Sequence, residues 1–446
     1  MVDPREGRER LSAADASNIE IDAPDQVNAF LMAGVLAPGG PVGRDGAVDL
    51  PALRAALAER VPALPRLAQR VVPDGRVLVW EAAPIEFERH VRQIEAVDGH
   101  AGFEALCARL MVTPFPIDRP LWEVLVVPGV APGRAGMVLR IHHAMADGVA
   151  AVRLVEELLR PHEMSVTDVS SRADATGASV TAPAAAPAAP APATLPRRGL
   201  RARLRTLASG WERTIAVFRR AVPRTVLLGP IGPRRGVAFV DTPLEALAAG
   251  ASTAGATVND ALLAAAAAAA EAALRARGEP VPPALPASVP VALRERGRSG
   301  NAVGVMLVPL PTGEADPAER LRRIAELTRV RKEDARARGQ FELTRTRFGS
   351  RLFKRFVRYQ RLIVMFVSNV PGPRHPLALA GAPLERVWPL GALQGNVRLG
   401  LAALSYDGML RCAVHCDADA LPADVFAETL HEQFARIAAL AGPGAP

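Results

Sequence analysis

Two adjacent histidines follow an apolar run in the stretch R-I-H-H-A-M-A-D-G-V-A, which covers residues 140–150. A neutral imidazole takes a proton from a hydroxyl near neutral pH, so either ring is a candidate general base for the attack of an alcohol on a carbonyl carbon. On a strand, neighbouring side chains point to opposite faces, so His142 and His143 do not readily share one ligand. We therefore expect one ring to face a cavity and the other to face packed side chains.

Asp147 and Gly148 follow the histidine pair at the start of a predicted helix. Asp147 stands where an N-cap belongs, and Gly148 permits the backbone to turn tightly. Two interpretations of Asp147 are open: it orients an imidazole directly, as in a catalytic triad, or it anchors the loop through an arginine without touching substrate. No metal site is expected, since no H-x-x-x-H pair or cysteine ligand lies near.

The elements that must position these residues can be read from the apolar pattern. Strand-like runs cover residues 121–127, 136–143, 302–310, 362–370, 399–406 and 409–416. Helical patterns cover residues 147–160 and 257–278, and Gly278 closes the second. Because strands and helices occur in both halves without strict βαβ alternation, the sequence predicts mixed α+β sheets.

The chain of 446 residues is long enough for two domains of roughly 200 residues each. A proline- and alanine-rich tract at residues 181–198 cannot pack a core, and it separates the two halves. We predict an N-terminal domain over residues 1–165, a Pro/Ala-rich and basic crossover linker over 166–235, and a C-terminal domain over 236–446.

Lysine and arginine number 54 against 46 acidic residues, which gives a formal net charge of +8. That excess permits an anionic partner without naming one. The arginine-rich segments 195–236 and 319–361 have two interpretations, as solvated helices or as a surface that docks on anionic lipid. Nucleic acid is not expected as a partner, since no recognised binding motif accompanies the charge.

The number of cysteines and the polarity of the chain indicate the cellular compartment of the protein. The three cysteines do not make a disulfide framework, and the spacing of Cys412 and Cys416 indicates small core residues on one face of a strand. The N-terminus is polar and does not resemble a signal peptide, and no uncharged run approaches the roughly 18 apolar residues of a membrane span. We expect a cytoplasmic protein whose contact with a membrane or lipid droplet is at most peripheral.

The H-H-x-x-x-D-G pattern of residues 142–148 is the signature of an acyltransferase superfamily that includes chloramphenicol acetyltransferase and the condensation domains of peptide synthetases. Within it, the chain resembles the bacterial wax ester synthase/diacylglycerol acyltransferase family over most of its length. The further motifs that carry this resemblance are L-S-A-A-D (11–15), P-L-W (120–122), N-D (259–260), G-N (300–301), S-N-V-P-G-P (368–373) and S-Y-D-G-M-L (405–410).

The resemblance implies two chloramphenicol-acetyltransferase-like α+β domains that flank a central cleft or tunnel. It implies that His143 is the general base, that His142 supports it, and that an alcohol oxygen attacks the thioester carbonyl of acyl-CoA directly. Asp147 then pairs with an arginine, for which Arg294 is the candidate, while Gly148 permits the turn. Acyl-CoA is a co-substrate in this reaction, and no cofactor is expected.

Further motif residues each keep two interpretations. Asn259 and Asp260 either cap a helix or border the active site, as the resemblance implies. Ser368 and Asn369 either belong to a plain turn or offer hydrogen bonds to an oxyanion or substrate. Trp122 of the P-L-W motif is expected to be a core anchor.

The implied activity is an O-acyl transfer from acyl-CoA to the hydroxyl of diacylglycerol or of a long-chain alcohol, giving triacylglycerol or wax ester. Two alternatives are an acyltransferase acting on a specialised hydroxylated metabolite or a carrier-bound acyl chain, and a non-catalytic lipid-binding relative. The presence of both His143 and Asp147 favours an enzyme. Residues 18–36 are more acidic and less aromatic than is usual in the family, so the sequence does not predict the acceptor or the acyl chain length.

Overall fold

Two six-stranded sheets and a small three-stranded sheet form the framework of the part of the chain that the structure describes. The structure, a computed structural model, describes residues 8–23, 26–146, 154–159, 222–292, 303–338, 357–373 and 375–442. The described residues before 162 and after 221 belong to one compact unit.

The strands are numbered in chain order. They are β1 (Glu9–Arg10), β2 (Ala29–Leu36), β3 (Gln69–Asp74), β4 (Val77–Ala82), β5 (Val91–Gln93), β6 (Trp122–Ala131), β7 (Arg134–His142), β8 (Arg235–Pro243), β9 (Ala284–Ala292), β10 (Val303–Pro311), β11 (Met365–Val370), β12 (Ala378–Leu379), β13 (Ala382–Leu390), β14 (Leu399–Tyr406) and β15 (Met409–Asp417). The strands predicted from the apolar pattern are confirmed with shifts of a few residues at their ends.

The helices are numbered in the same way. They are α1 (Ala13–Ile21), α2 (Leu50–Arg60), α3 (Phe87–His90), α4 (Gly99–Leu110), α5 (Leu244–Thr253), α6 (Val258–Ala276), α7 (Pro317–Arg338) and α8 (Ala423–Ala438). Among the described residues, no helix taken singly is long and apolar enough to cross a membrane; α5 and α6 pass that test only as a pair bent by 89°.

The first sheet carries the histidine pair and has the strand order β12-β13-β2-β7-β6-β5. Its neighbours are antiparallel except for β5 and β6. The strands β2, β6 and β7 are almost continuously apolar because both faces of this sheet are covered. The buried Arg140 of β7 is paired with Glu123 directly across on β6, which makes its burial tolerable.

The second sheet has the order β10-β9-β11-β14-β15-β8, in which β11 runs parallel to β9 and β14. Cys412, Val414 and Cys416 of β15 face its core together, as the period of two predicts. The helix α6 packs into the same core with its run of alanines, residues 264–270, buried. Thr257 caps its start, and Gly278 takes a left-handed φ of 69° beyond its end, so the predicted helix is confirmed.

The division of the chain between the sheets differs from the predicted domain boundaries in two places. The hairpin β12–β13 was predicted to lie in the domain 236–446, but β13 pairs with β2 and extends the first sheet. The predicted linker 166–235 also includes residues of the second core, since Val222 and Leu227 are buried there. Both corrections have one physical reason, which is that apolar residues far apart in the chain share a core whose membership a local pattern does not reveal.

The side chain of Tyr406 connects the β12–β13 hairpin to the second sheet through hydrogen bonds. It is the last residue of β14, and its buried hydroxyl donates to the Leu384 carbonyl at 2.7 Å. The same hydroxyl accepts from the Leu377 N–H at 2.9 Å. Two backbone groups on either side of the hairpin therefore depend on one phenol for their hydrogen bonds.

We expect the substitution Tyr406→Phe to lower the free energy of unfolding by about 1–3 kcal/mol, because it keeps the ring and leaves two buried backbone groups without that partner. Urea denaturation measures the loss. The matched control is Tyr359→Phe, at a side chain that is 75% exposed, for which we expect a change within about 0.5 kcal/mol. Equal midpoints for the two variants would contradict this role of Tyr406.

Candidate active site

The end of β7 places the two histidines in different surroundings. His142 is the last residue of the strand and is 1% exposed. The Phe115 ring meets it edge-on at 6.0 Å between centroids, and that ring in turn lies 4.5 Å from the Arg140 guanidinium carbon. His143 begins the following turn, is half-buried and meets Phe30 edge-on at 5.6 Å. The first ring is thus enclosed by packing and the second is the more accessible, as the alternation of strand side chains predicts.

Both ring nitrogens of His142 are occupied. The Ala144 N–H donates to Nδ1 at 3.0 Å, so in the neutral ring the proton lies on Nε2. Nε2 then donates to Oδ2 of Asp22, which is 3.0 Å away. Both nitrogens of His142 are therefore bonded inside the protein, one to the turn and one to Asp22.

A group of polar side chains holds the backbone of His143. Its N–H donates to the Asn28 carbonyl at 2.9 Å, and its carbonyl accepts from the Asn18 amide at 3.2 Å. Asn28 donates to Oδ1 of Asn18 at 3.0 Å and accepts from the Gln394 amide at 2.7 Å. Its own N–H donates to Oδ1 of Asp22 at 2.7 Å. This network fixes the position of His143 through its main chain and leaves the imidazole outside it.

The surroundings of His143 favour its neutral form. Burial lowers the pKa of the His143 imidazole to about 4, and the neighbouring His142 ring acts in the same direction. A hydrogen bond with the Ala146 backbone and the charge of the Asp22 carboxylate raise this pKa in part. At neutral pH the ring is therefore uncharged and has a lone pair that can accept a proton.

An apolar recess lies on the same face of β2 as Phe30. Met32, two residues further along that face, contributes to its lining with Val387 of β13 and Leu404 of β14. The remaining lining residues are Val155, Glu156, Pro373 and Leu377. Both halves of the chain thus contribute apolar side chains on the His143 side of the first sheet.

The structure favours the capping interpretation of Asp260. Its side chain is buried, and Oδ2 accepts from the N–H and the hydroxyl of Thr257 at 2.9 and 2.7 Å, which completes a capping box. Oδ1 accepts from the Thr328 hydroxyl of α7 at 2.6 Å. Asn259 is half-buried in the first turn of α6, and within the described ranges its amide makes no hydrogen bond to either histidine.

Ser368 and Asn369 lie on β11 and not in a turn, since this strand continues to Val370. They pair with Ala402 and Ala403 of β14, and neighbouring strand residues point to opposite faces. Only one of the two side chains can face a given ligand. As far as the described residues extend, neither forms a hydrogen bond with the histidines.

The two C-terminal motifs contact each other. The Gly372 N–H donates to the Ser405 hydroxyl at 3.2 Å, and a Cβ at Gly372 would lie 1.8 Å from the Ser405 carbonyl oxygen. Only glycine permits this approach. Asp407 and Gly408 have φ angles of 47° and 72° and make the two-residue turn between β14 and β15. The motif residues here shape the backbone.

Residues expected in the core are found there. Trp122 is buried, donates from Nε1 to the Leu67 carbonyl at 2.9 Å and stacks on His90. Burial raises the pKa of the Cys107 and Cys412 thiols far above the usual range and that of Cys416 to about 12. Protonated and enclosed, these thiols are not nucleophiles.

Three predicted site residues, Asp147, Gly148 and Arg294, lie outside the described residues. The pairing of Asp147 with Arg294 therefore stays a prediction. Of the helix predicted over 147–160, residues 154–159 are described, and residues 154–158 are helical.

Two family models match most of the chain. The catalytic-domain model of the wax ester synthase/diacylglycerol acyltransferases matches residues 11–262, and the model of their C-terminal domain matches residues 299–438. The chain belongs to this family. It is accordingly an acyltransferase, and the first match includes the histidine pair.

Relatives match over nearly the whole chain. A candidate diacylglycerol O-acyltransferase of Mycobacterium tuberculosis is 28% identical, with 95% of this chain and 90% of the relative covered. One of Mycobacterium bovis is 28% identical, with 96% of each chain covered.

Solved structures confirm the family's fold of two chloramphenicol-acetyltransferase-like domains. The wax ester synthase/diacylglycerol acyltransferase of Marinobacter aquaeolei VT8 superimposes with a TM-score of 0.70 at 22% identity, covering 97% of this chain and all of that one. The first condensation domain of the CDA synthetase superimposes with a TM-score of 0.58 at 18% identity, covering 98% and 96%.

In this member of the family, sequence reasoning missed the residues that support the histidine turn, namely Asn18, Asp22, Asn28 and Gln394. Residues 18–36 depart from the family in being more acidic and less aromatic. The available signal was a cluster of side chains rich in hydrogen-bonding groups immediately before an apolar strand. Its partner is separated from it by 120 positions, and no local pattern links the two.

We expect Asp260→Ala to lower the free energy of unfolding by about 1–3 kcal/mol, because it removes the acceptor of the Thr257 N–H in the capping box and the acceptor of the buried Thr328 hydroxyl. Urea denaturation and the rate of acyl transfer are both measured. The neighbouring Asn259→Ala is the control, with a stability change within about 0.5 kcal/mol. An Asp260→Ala protein of unchanged stability that has lost turnover would show that the carboxylate acts in the chemistry instead.

Proposed function

We propose that this chain moves a fatty acyl group from acyl-CoA to the hydroxyl of diacylglycerol, of a long-chain alcohol or of both, with His143 as the general base. The observation that carries the proposal is the difference between the two rings. His142 has both nitrogens bonded inside the protein, whereas His143 is half-buried, uncharged and held through its main chain.

The chemistry needs one proton acceptor at a dry site. The His143 imidazole takes the alcohol proton while the alcohol oxygen forms a bond to the thioester carbonyl carbon. The resulting oxyanion collapses, the carbon–sulfur bond breaks, and the imidazolium returns its proton to the CoA thiolate. The carboxylate of Asp22, whose charge raises the pKa of His143, favours the imidazolium that forms between these steps.

The nature of the substrates is supported by two kinds of observation. The relatives from Mycobacterium carry the name diacylglycerol O-acyltransferase, and the Marinobacter structure is of a wax ester synthase/diacylglycerol acyltransferase. The second observation is that a small recess lined by Met32, Val387 and Leu404 is apolar and lies on the same face of β2 as Phe30. Acyl-CoA takes part as a co-substrate, and the reaction as written needs no cofactor. We further propose that the protein meets its lipid acceptor at the surface of a membrane or lipid droplet.

The test is release of CoA thiol from palmitoyl-CoA by the purified chain, measured with diacylglycerol, with hexadecanol and with no acceptor, together with chromatography of the products. We expect thiol release that depends on an acceptor and yields an equal amount of triacylglycerol or wax ester. Release with neither lipid acceptor but with another hydroxylated compound or a carrier-bound acyl chain would replace the proposed substrates. No release with any acceptor would support the non-catalytic alternative.

We expect His143→Ala to lower kcat by about 10²- to 10⁴-fold, the usual contribution of a general base. The control is His431→Ala, because His431 is an exposed histidine on α8. Both variants are assayed for acceptor-dependent CoA release and compared by circular dichroism. A folded His143→Ala protein with the original kcat would exclude this residue as the base.

The low pKa of His143 predicts the pH profile. A base must be unprotonated to act, and a pKa lowered to about 4 keeps the ring unprotonated far below the usual histidine value. We therefore expect kcat/KM to stay level from about pH 8 down to about pH 5.5 and to fall with an acid midpoint near the lowered pKa. Rates are measured together with the folded fraction at each pH. An acid midpoint close to about 6.5, the ordinary histidine pKa, in a folded protein would contradict the dry environment of His143.

A further inference from the structure

Asp22 links the surface of the protein to a buried ring. It follows α1 directly, and its side chain is 37% exposed, whereas the His142 side chain that it contacts is 1% exposed. Its two carboxylate oxygens have separate partners. Oδ2 lies 3.0 Å from Nε2 of His142, and Oδ1 accepts from the Asn28 N–H at 2.7 Å.

His142 in turn holds the backbone on the far side of His143. The Ala144 N–H donates to its Nδ1 at 3.0 Å, and the Met145 N–H donates to its carbonyl at 2.9 Å. The first of these bonds exists only while Nδ1 is unprotonated, and Nδ1 is unprotonated in the neutral ring only while Nε2 carries the proton. The carboxylate of Asp22 stabilises that tautomer because it can only accept at Nε2.

We propose that Asp22 is a positioning residue for acyl transfer, which fixes the tautomer of His142 and thereby the turn that presents His143 to the reacting hydroxyl. The inference rests on the proposed function, and it assigns a role in that reaction to a residue outside the H-H-x-x-x-D-G motif. Asp22 does not act on the substrate itself.

A purely structural role is distinguishable from this one. The bonds from Asn18 and Asn28 to the main chain of His143 do not involve Asp22, so the strand and the start of the turn keep their own support when Asp22 is changed. What depends on Asp22 is the orientation of the His142 ring, the bond from Ala144, the acceptor of the Asn28 N–H and a negative charge near His143. The expected consequence is a lower kcat with little change in KM or in the folded fraction.

The variant Asp22→Asn gives the sharpest test because it keeps the shape and loses one acceptor. A carboxylate accepts on both oxygens, whereas an amide has one oxygen and one NH₂ group. The Asn28 N–H can only donate and therefore takes the amide oxygen, so the NH₂ group faces Nε2 of His142 and favours the tautomer with the proton on Nδ1, where it opposes the Ala144 N–H. We expect kcat about 10- to 100-fold lower, the range known for hydrogen-bond partners that orient a metal-binding histidine, and KM for acyl-CoA and acceptor within about twofold.

Two further variants complete the experiment. Asp22→Ala is expected to lose as much kcat as Asp22→Asn, so the isosteric change does not rescue activity. Asp49→Asn is the matched control: Asp49 is an exposed aspartate that accepts one bond, from the Ala52 N–H at the start of α2, and an amide oxygen replaces that acceptor. We expect its kcat to be unchanged.

Nitrogen-15 NMR of histidine-labelled protein reports the tautomer directly. We expect the proton of His142 on Nε2 in the original chain and in Asp49→Asn, and its loss from that position in Asp22→Asn. The inference is overturned by an Asp22→Asn protein with the original kcat, by one whose tautomer is unchanged, or by one whose lost activity equals its unfolded fraction in the same buffer. His143→Ala separates the two proposals, since full turnover in that variant overturns the proposed function, whereas no turnover there with full turnover in Asp22→Asn overturns only this inference.

Discussion

The site depends on the complete hydrogen bonding of one buried imidazole. His142 is enclosed under Phe115, and a buried ring nitrogen without a partner would cost about 1–3 kcal/mol. Asp22 and the Ala144 N–H satisfy its two nitrogens, and in doing so they fix the ring. The next side chain, His143, begins the turn and meets Phe30, and its ring has one hydrogen bond, with the Ala146 backbone. The strand thus ends on a histidine with both nitrogens bonded, and the turn begins with a histidine that keeps one ring nitrogen for a proton.

The two halves of the chain serve this arrangement together. The second half supplies β13, which lies beside β2 and supports the strand from which Phe30 projects. It also supplies Gln394, which donates to Asn28 in the network around the turn, and Leu404, which lines the recess on the His143 side. The Tyr406 hydroxyl forms hydrogen bonds with backbone groups of Leu377 and Leu384 and so holds the β12–β13 hairpin. Residues of both halves therefore meet here, and the pairing of β13 with β2 is part of how the site is built.

Local sequence patterns predicted the features that depend on neighbouring residues alone, namely strand alternation and the ends of helices. The alternation in 136–143 gave a strand end with histidines on opposite faces, and the cap at Thr257 and the glycine at 278 marked α6 correctly. The family resemblance, carried by short motifs, led to the fold. The pair of Asp22 and His142 and the pairing of β13 with β2 were beyond such reasoning, since each joins residues more than a hundred positions apart. These residues meet only when the apolar faces of the elements pack together in the tertiary structure. No local sequence pattern indicates which residues will meet.

The claim on which the account rests is that His143 is an uncharged base in a poorly hydrated place beside a histidine that is fully bonded. Titration of the histidine-labelled protein followed by nitrogen-15 NMR measures this without any assumption about substrate. The account predicts that the His143 ring stays neutral as the pH is lowered until it protonates with a pKa of about 4. A His143 ring that protonates with a pKa near about 6.5, as a freely hydrated imidazole does, would contradict it.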